Sequence, residues 1–208
     1  MHRRLFRSLV SSLVLLSALV VWAANDESPE QWRAERRLID LHQHGQTEEA
    51  YAFSVQDGVT TSFELESGTD DVDRWYADRR DGQIVNHGVS IGHIPVRMTI
   101  MGDEGNWLPS GPGGHKVASD SQITEMARRI EEGLSEGAVA VGFGFAYTPA
   151  ATESELEIML RVAAAHGATA FVHVRDALEG SVEGLGEAIE MVQRTQTSLH
   201  VVHANSSG

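Results

Sequence analysis

Six segments rich in β-branched and aromatic residues alternate with helical segments along most of this chain, and this order constrains the fold more than any other feature. Strands that are joined through helices run parallel, because each helical crossover returns the chain to the same end of the sheet. The sequence therefore predicts an α/β fold with a parallel sheet. The predicted strands cover residues 38–44, 59–67, 84–92, 138–145, 168–175 and 199–204.

The intervening helices carry recognisable start and stop signals. Residues 47–56 and 70–80 are predicted helices, and a clear apolar stripe begins after Ser121 and ends before Gly137. The capping box Thr152-x-x-Glu155 predicts a helix that stops at Gly167, and a weaker helix covers residues 187–194. Residues 101–118 are rich in Gly and Pro and predict a long loop.

This order fits either a barrel or a doubly wound sheet. No Gly-x-Gly-x-x-Gly turn follows the first strand, which disfavours a dinucleotide-binding sheet. A (β/α)8 barrel takes about 250 residues, which is more than this chain of 208 residues offers. We therefore expect a partial (β/α)8 TIM barrel over residues 38–208, with six of about eight strands present.

The composition is that of one globular domain, with 41% hydrophobic and 22% charged residues. A formal net charge of -14 repels phosphate and anionic lipid, so the sequence predicts no nucleic-acid partner and no binding to a membrane surface. The chain has no cysteine, which excludes disulfides, thiolate nucleophiles and cysteine-based zinc sites. Any metal must therefore be held by histidine and carboxylate.

The amino terminus predicts a targeting segment. Arg3, Arg4 and Arg7 form a basic start, residues 9–21 are apolar, and Val21-Trp22-Ala23 fits a cleavage site. We expect a signal peptide over residues 1–24, a linker over residues 25–37, and export to the periplasm or the medium. The alternative is an uncleaved membrane anchor, although the apolar stretch is short for a spanning helix.

His42 and His44 are two residues apart at the end of the first predicted strand. Side chains with this spacing lie on one face of a strand, so both imidazoles can reach one point. Imidazole is a favoured ligand of zinc and similar ions, which makes a metal site one interpretation of the pair. A chance polar pair that closes a strand is the other.

Further polar residues lie toward the carboxyl ends of the other predicted strands, where a barrel places its functional groups. Glu64 and Glu66 share one face of the second strand, and two carboxylates there are costly unless they are paired or bind a cation. His173 and His203 lie near the ends of the fifth and sixth strands. We expect the other histidines of the strands and helices to pack or to face solvent: His87, His115, His166 and His200.

Several segments together carry a family resemblance. They are Ile39-Asp40-Leu41-His42-Gln43-His44, Asp57-Gly58-Val59-Thr60-Thr61, Gly92-His93-Ile94-Pro95-Val96-Arg97, residues 142–149, His173-Val174-Arg175 and Val202-His203. From residue 38 onward, the chain resembles the amidohydrolase superfamily, most of all its N-acyl-D-amino-acid deacylase branch. The His-x-His and Gly-Val-Thr-Thr motifs are the most specific part of this resemblance.

The resemblance implies a TIM barrel that holds one or two Zn²⁺ or similar divalent ions. Its implied ligands are His42, His44, His173 and His203, joined by a side chain from the second strand. Many relatives use a cysteine there. Here the candidates are Glu66, which we favour, and Glu64. The predicted fourth strand has no lysine that could be carbamylated to bridge two metals.

The implied substrate is a small N-acyl amino acid or a related amide. His93, Arg97 and Tyr147 match positions near the family's substrate pocket, with packing an equal alternative for His93. Arg175 is a further candidate for binding the substrate carboxylate. The branch usually has a lysine two residues after the histidine of the sixth strand, where this chain has Asn205, so the substrate is left open.

The resemblance also implies an aspartate on an eighth strand as ligand and general base, and we expect it beyond Gly208 together with strands seven and eight. The sequence therefore favours a metal-dependent hydrolase of linear amides, represented by its amino-terminal portion. One alternative is a catalytically incomplete barrel that binds metal or a partner and self-associates through open sheet edges. The other is an amidohydrolase for a different amide.

Overall fold

The computed structural model describes residues 37–44 and 47–204. Within these residues six parallel strands form one sheet in the order β1 to β6, curled into a half-barrel. The predicted α/β fold and partial TIM barrel are confirmed. The strands are β1 (Leu38–Asp40), β2 (Val59–Thr69), β3 (Asn86–Gly92), β4 (Val141–Gly144), β5 (Thr169–His173) and β6 (Ser198–Val201).

Helices follow each of the first five strands. They are α1 (Glu48–Gln56), α2 (Val72–Ala77), α3 (His93–Met101), α4 (Pro112–His115), α5 (Asp120–Ser135), α6 (Glu153–Ala165) and α7 (Ser181–Thr195), and a 3₁₀ turn covers Phe145–Tyr147. In the part of the chain that the structure describes, no helix combines the length and the apolarity that a membrane crossing needs.

Strands β1 and β6 end three or four residues earlier than the sequence predicts. β1 ends at Asp40, whose side chain accepts a hydrogen bond from the backbone N–H of His42 at 2.9 Å, so the chain turns there and leaves the parallel ladder. His42 then forms an isolated antiparallel bridge with Glu64. β6 ends at Val201, and His203 adopts a left-handed backbone with φ 51°. Both histidines therefore lie in turns just beyond their strands.

Helix α3 is absent from the sequence prediction, which ended the third strand near Pro95 but predicted no helix after it. Pro95 is the third residue of α3, in the first turn, where a missing N–H costs no intrahelical hydrogen bond. Helix α7 also begins earlier than predicted. Its first turns contain Gly184 and Gly186, and the low helix propensity of glycine explains why the sequence predicts no helix there.

The core lies between the sheet and helices α5, α6 and α7. The apolar stripe predicted for α5 faces it, with Ile130 fully buried and Ile123 partly buried against the cluster. Phe143 of β4 and Leu156 of α6 are fully buried in the same cluster. The sheet is thus fixed on its helical side.

A buried ionic cluster ties α3 to α6. The hydroxyl of Thr152 accepts from the backbone N–H of Glu155 at 3.2 Å, as the capping motif predicts. The carboxylate of Glu155 turns into the core instead of back to the cap, and meets Arg97 at 3.0 and 3.2 Å and His93 at 2.9 Å. The side chains of Glu155, Arg97 and His93 are all fully buried.

The Gly- and Pro-rich loop after α3 is held by one carboxylate. Asp103 accepts backbone N–H bonds at 2.8–3.1 Å from Gly105, Ser110, Gly111 and Gly113. Burial raises the pKa of Asp103, but these four N–H groups outweigh it and lower the pKa to about 2. Arg97 also donates to the carbonyl of Gly113 at 2.7 Å, so the ionic cluster and the loop are joined.

Some sequence predictions concern residues outside the described ones. These are the signal peptide over residues 1–24, the linker up to residue 36, and the role of Asn205. They stay predictions, as do export and self-association through sheet edges.

We predict that Glu155→Ala lowers the free energy of unfolding by about 3–5 kcal/mol, because it leaves the guanidinium of Arg97 buried without its counter-charge. The matched control is Glu125→Ala, which breaks a surface pair with Arg128 and should lower the free energy of unfolding far less, because water and salt screen an exposed pair. Chemical denaturation of both variants measures the difference. Equal losses would contradict a structural role for the buried cluster.

We predict that Asp103→Asn destabilises the protein in a pH-dependent way. The folded pKa of about 2 lies below the ordinary aspartate pKa of 3.8, so the carboxylate stabilises the fold above its unfolded pKa. That contribution is lost as the pH falls through about 2. The gap in Tm between wild type and variant should therefore shrink as the pH is lowered from neutrality toward about 2. A gap independent of pH would refute this account of the loop.

Candidate metal centre

The carboxylate of Glu66 lies at the centre of a ring of histidines. Glu66 is 2% exposed, and its Oε2 is 3.1 Å from Nε2 of both His42 and His44 and 3.3 Å from Nε2 of His203. Its Oε1 is 2.8 Å from Nδ1 of His173. Four imidazoles from widely separated parts of the chain thus converge on one buried carboxylate.

The strands bring these residues together because their carboxyl ends share one edge of the parallel sheet. Glu66 lies within β2 and His173 is the last residue of β5. The turns after β1 and β6 then bring His42 and His203 toward the same carboxylate, with their ring centroids 4.3 Å apart.

The spacing of the ligand atoms fits a zinc-like ion. Nε2 of His42, Nε2 of His44 and Oε2 of Glu66 are each 3.1 Å from one another. Tetrahedral zinc at bond lengths of about 2.0–2.2 Å places neighbouring ligand atoms roughly 3.3–3.6 Å apart. Ligand atoms of His42, Glu66 and His203 also lie within 4.8 Å of one another. The residues present can therefore hold a divalent metal with only small shifts.

Glu64 occupies a different position from Glu66. Its Oε2 is 2.7 Å from Nδ1 of His44, on the opposite side of the ring from Glu66, and its Oε1 accepts the backbone N–H of Ser67 at 3.1 Å. A carboxylate on the far nitrogen holds a proton there and leaves Nε2 free to bind a metal. The geometry favours Glu66 as a ligand and Glu64 as the residue that orients His44.

The electrostatics of the cluster keep the central carboxylate ionised. Burial raises the pKa of Glu66, but hydrogen bonds from His173 and His44 outweigh it and hold the pKa well below its usual range. Hydrogen bonds to Glu64 and Glu66 raise the pKa of His44 to about 10, whereas burial lowers that of His42. An ionised Glu66 is the form that binds a cation.

Two aromatic residues border the cluster. The hydroxyl of Tyr147 is 3.3 Å from Nδ1 of His173, and burial raises the pKa of this tyrosine, so it stays protonated. The ring of Trp107, from the loop held by Asp103, lies 5.1 Å from the ring of His44. Sequence analysis missed Trp107, and the only signal was one large aromatic residue within a Gly- and Pro-rich segment.

The other residues predicted to bind substrate lie elsewhere. His93 and Arg97 are fully buried and pack against Glu155 in the core, and their substrate role stays a prediction. Arg175 is partly exposed and pairs with Glu187 at 2.8 Å. Of the predicted substrate residues, only Tyr147 contacts the histidine cluster among the residues described.

Comparison with known proteins shows two similar curated sequences, while no protein-family model matches. The D-aminoacylase of Alcaligenes xylosoxydans xylosoxydans is 28% identical over 126 residues, which is 60% of this chain and 24% of the relative. The N-acyl-D-glutamate deacylase of the same organism is 30% identical over 125 residues, which is 58% of this chain and 23% of the relative. The chain thus spans about a quarter of the length of these relatives.

Solved structures share the fold. A crystal structure of D-aminoacylase, described as defining a novel subset of amidohydrolases, matches with a TM-score of 0.65 and 20% identity over 80% of this chain and 40% of that one. N-acyl-D-glutamate deacylase from Bordetella bronchiseptica, complexed with zinc and a phosphonate inhibitor, matches with a TM-score of 0.63 and 19% identity over 79% and 39%. The described half-barrel therefore has the fold of part of these deacylases.

Proposed function

We propose that this chain carries the metal-binding part of an exported, metal-dependent amidohydrolase that cleaves the amide bond of N-acyl-D-amino acids. The observation that carries the proposal is the buried, ionised carboxylate of Glu66 with four imidazole nitrogens within 3.3 Å. The similarity to two deacylases supports the reaction class and the substrate class.

The residues that would hold the metal are His42, His44, Glu66, His173 and His203. The two oxygens of Glu66 face different histidines: Oε1 faces His173, and Oε2 faces the others. A carboxylate in this position suits either a single ion or a pair that it joins. When bound, such an ion supplies a water molecule of lowered pKa and a polarised amide carbonyl.

Two other side chains, those of Glu64 and Tyr147, orient or border the residues of this cluster. Glu64, fixed by the N–H of Ser67, orients the ring of His44. Tyr147 keeps its proton at the border of the cluster, where its hydroxyl can donate to an oxygen of the substrate. The proton-transferring aspartate that the family resemblance implies beyond Gly208 stays a prediction.

The first test of the proposal is metal content. We predict that the purified protein binds about one or more zinc-like ions per chain and that the His42→Ala, His44→Ala double variant loses them, because two ligands of the cluster are gone. Glu64→Gln should bind metal about 10–100-fold more weakly, since it removes only the group that orients His44. Elemental analysis and competition with a chelator measure both effects.

The matched control is His115→Ala, which removes an exposed histidine of α4 outside the cluster and should leave metal content unchanged. Circular dichroism confirms that each variant is folded. The metal site is refuted if the folded wild type binds no ion, or if the double variant and the control bind equally.

The second test is hydrolysis. We predict that the metal-loaded protein releases free amino acid from N-acetyl-D-amino acids faster than from their L-enantiomers, and that chelation abolishes the activity. Glu66→Gln should abolish it too, because an uncharged amide is a poor metal ligand. Detection of the released amine measures the rate. If the protein binds metal but hydrolyses no N-acyl amino acid, the proposed activity is rejected and only a metal-binding role remains.

A further inference from the structure

A cavity of about 300 Å³ lies near the histidine cluster and is connected to it through Trp107, which lines the cavity and contacts the ring of His44. Its wall begins at Ser67, the residue after Glu66, and includes Thr69, Pro95 and Met98. Trp107 completes the wall, and its ring lies edge to face with the ring of His44, at 72° and 5.1 Å. A molecule whose reacting bond lies at the cluster can therefore extend into this cavity and touch Trp107.

The loop that carries Trp107 is held by hydrogen bonds on both sides of this residue. The four backbone N–H bonds to Asp103 bracket it on both sides, from Gly105 and from residues 110–113. Its side chain is 54% exposed, so a large apolar face remains open while the ring contacts His44. A rigid and partly exposed indole beside a reaction centre is suited to pack against an apolar group.

The charge of the cavity selects which end of a substrate can enter. Within the described residues its lining contains two carboxylates, Asp70 and Asp103, and neither lysine nor arginine. Asp70 accepts a hydrogen bond from the hydroxyl of Thr99 at 2.6 Å. An N-acyl amino acid carries its negative charge on one side of the amide and its acyl group on the other. The two carboxylates of the cavity repel the negatively charged side of the substrate. The amino-acid part of the substrate, including its side chain, is therefore kept out of the cavity.

We propose that this cavity binds the acyl group of the substrate and that Trp107 determines the preference for acyl length. The inference rests on the proposed function, because it presumes an N-acyl amino acid at the cluster. Met98 and Pro95 add apolar surface to the lining, so that an acyl chain longer than acetyl gains contact in the cavity.

The test compares D-amino-acid substrates that differ only in the acyl group: N-acetyl, N-butyryl and N-hexanoyl. Trp107→Ala should lower kcat/KM for the hexanoyl substrate about tenfold more than for the acetyl substrate, since each buried methylene contributes to selectivity. Trp107→Phe should keep most of the preference. The control is Trp75→Phe, a tryptophan of α2 that packs against Tyr76 and His87 and should leave the series unchanged.

The inference is overturned if Trp107→Ala lowers kcat/KM equally for all acyl groups, or changes the dependence on the amino-acid side chain instead. If the wild type hydrolyses no substrate, the proposed function fails and binding decides the inference. Calorimetric titration with N-acetylglycinamide and N-hexanoylglycinamide then supplies the readout. Tighter binding of the hexanoyl compound by wild type than by Trp107→Ala supports the acyl cavity, and equal binding rejects it.

Discussion

The arrangement of residues at the carboxyl ends of the strands, the mouth of the half-barrel, depends on the burial of one carboxylate, that of Glu66. Removing an ionised carboxylate from water is costly unless nearby donors or cations compensate it. Glu66 is 2% exposed and meets histidines from the turns after β1 and β6 and from the end of β5. The first, fifth and sixth strands are thereby linked electrostatically to the second, although of these three only β1 pairs with β2 through backbone hydrogen bonds.

A second buried cluster, that of Glu155 and Arg97, is connected to this mouth through a series of contacts. Glu155 holds Arg97 of α3, and Arg97 in turn holds the carbonyl of Gly113. The N–H of the same glycine binds Asp103, whose loop carries Trp107 to the ring of His44. The core and the candidate metal centre are therefore connected through a series of polar contacts that ends in the ring contact between Trp107 and His44.

Local patterns were sufficient for much of the fold and part of the site. The alternation of strands and helices predicted six parallel strands, and the structure confirms that order. The two-residue spacing of Glu64 and Glu66 places both on one face of β2, as expected for a strand. The same reasoning failed at α3, because a proline in the first turn of a helix resembles a strand terminator in sequence.

The sequence by itself determined the parallel α/β order, the six strands and the set of histidines and carboxylates near their ends, because periodicity and residue chemistry are local properties. Only the tertiary structure decided which partner each polar group has. In the structure Glu66 contacts the four imidazoles of the cluster, whereas Glu64 contacts the far side of the His44 ring. Arg97 is buried in contact with Glu155. The tertiary structure also brought Trp107 to His44. These pairings join residues far apart in the chain, so they depend on how strands curl and loops close.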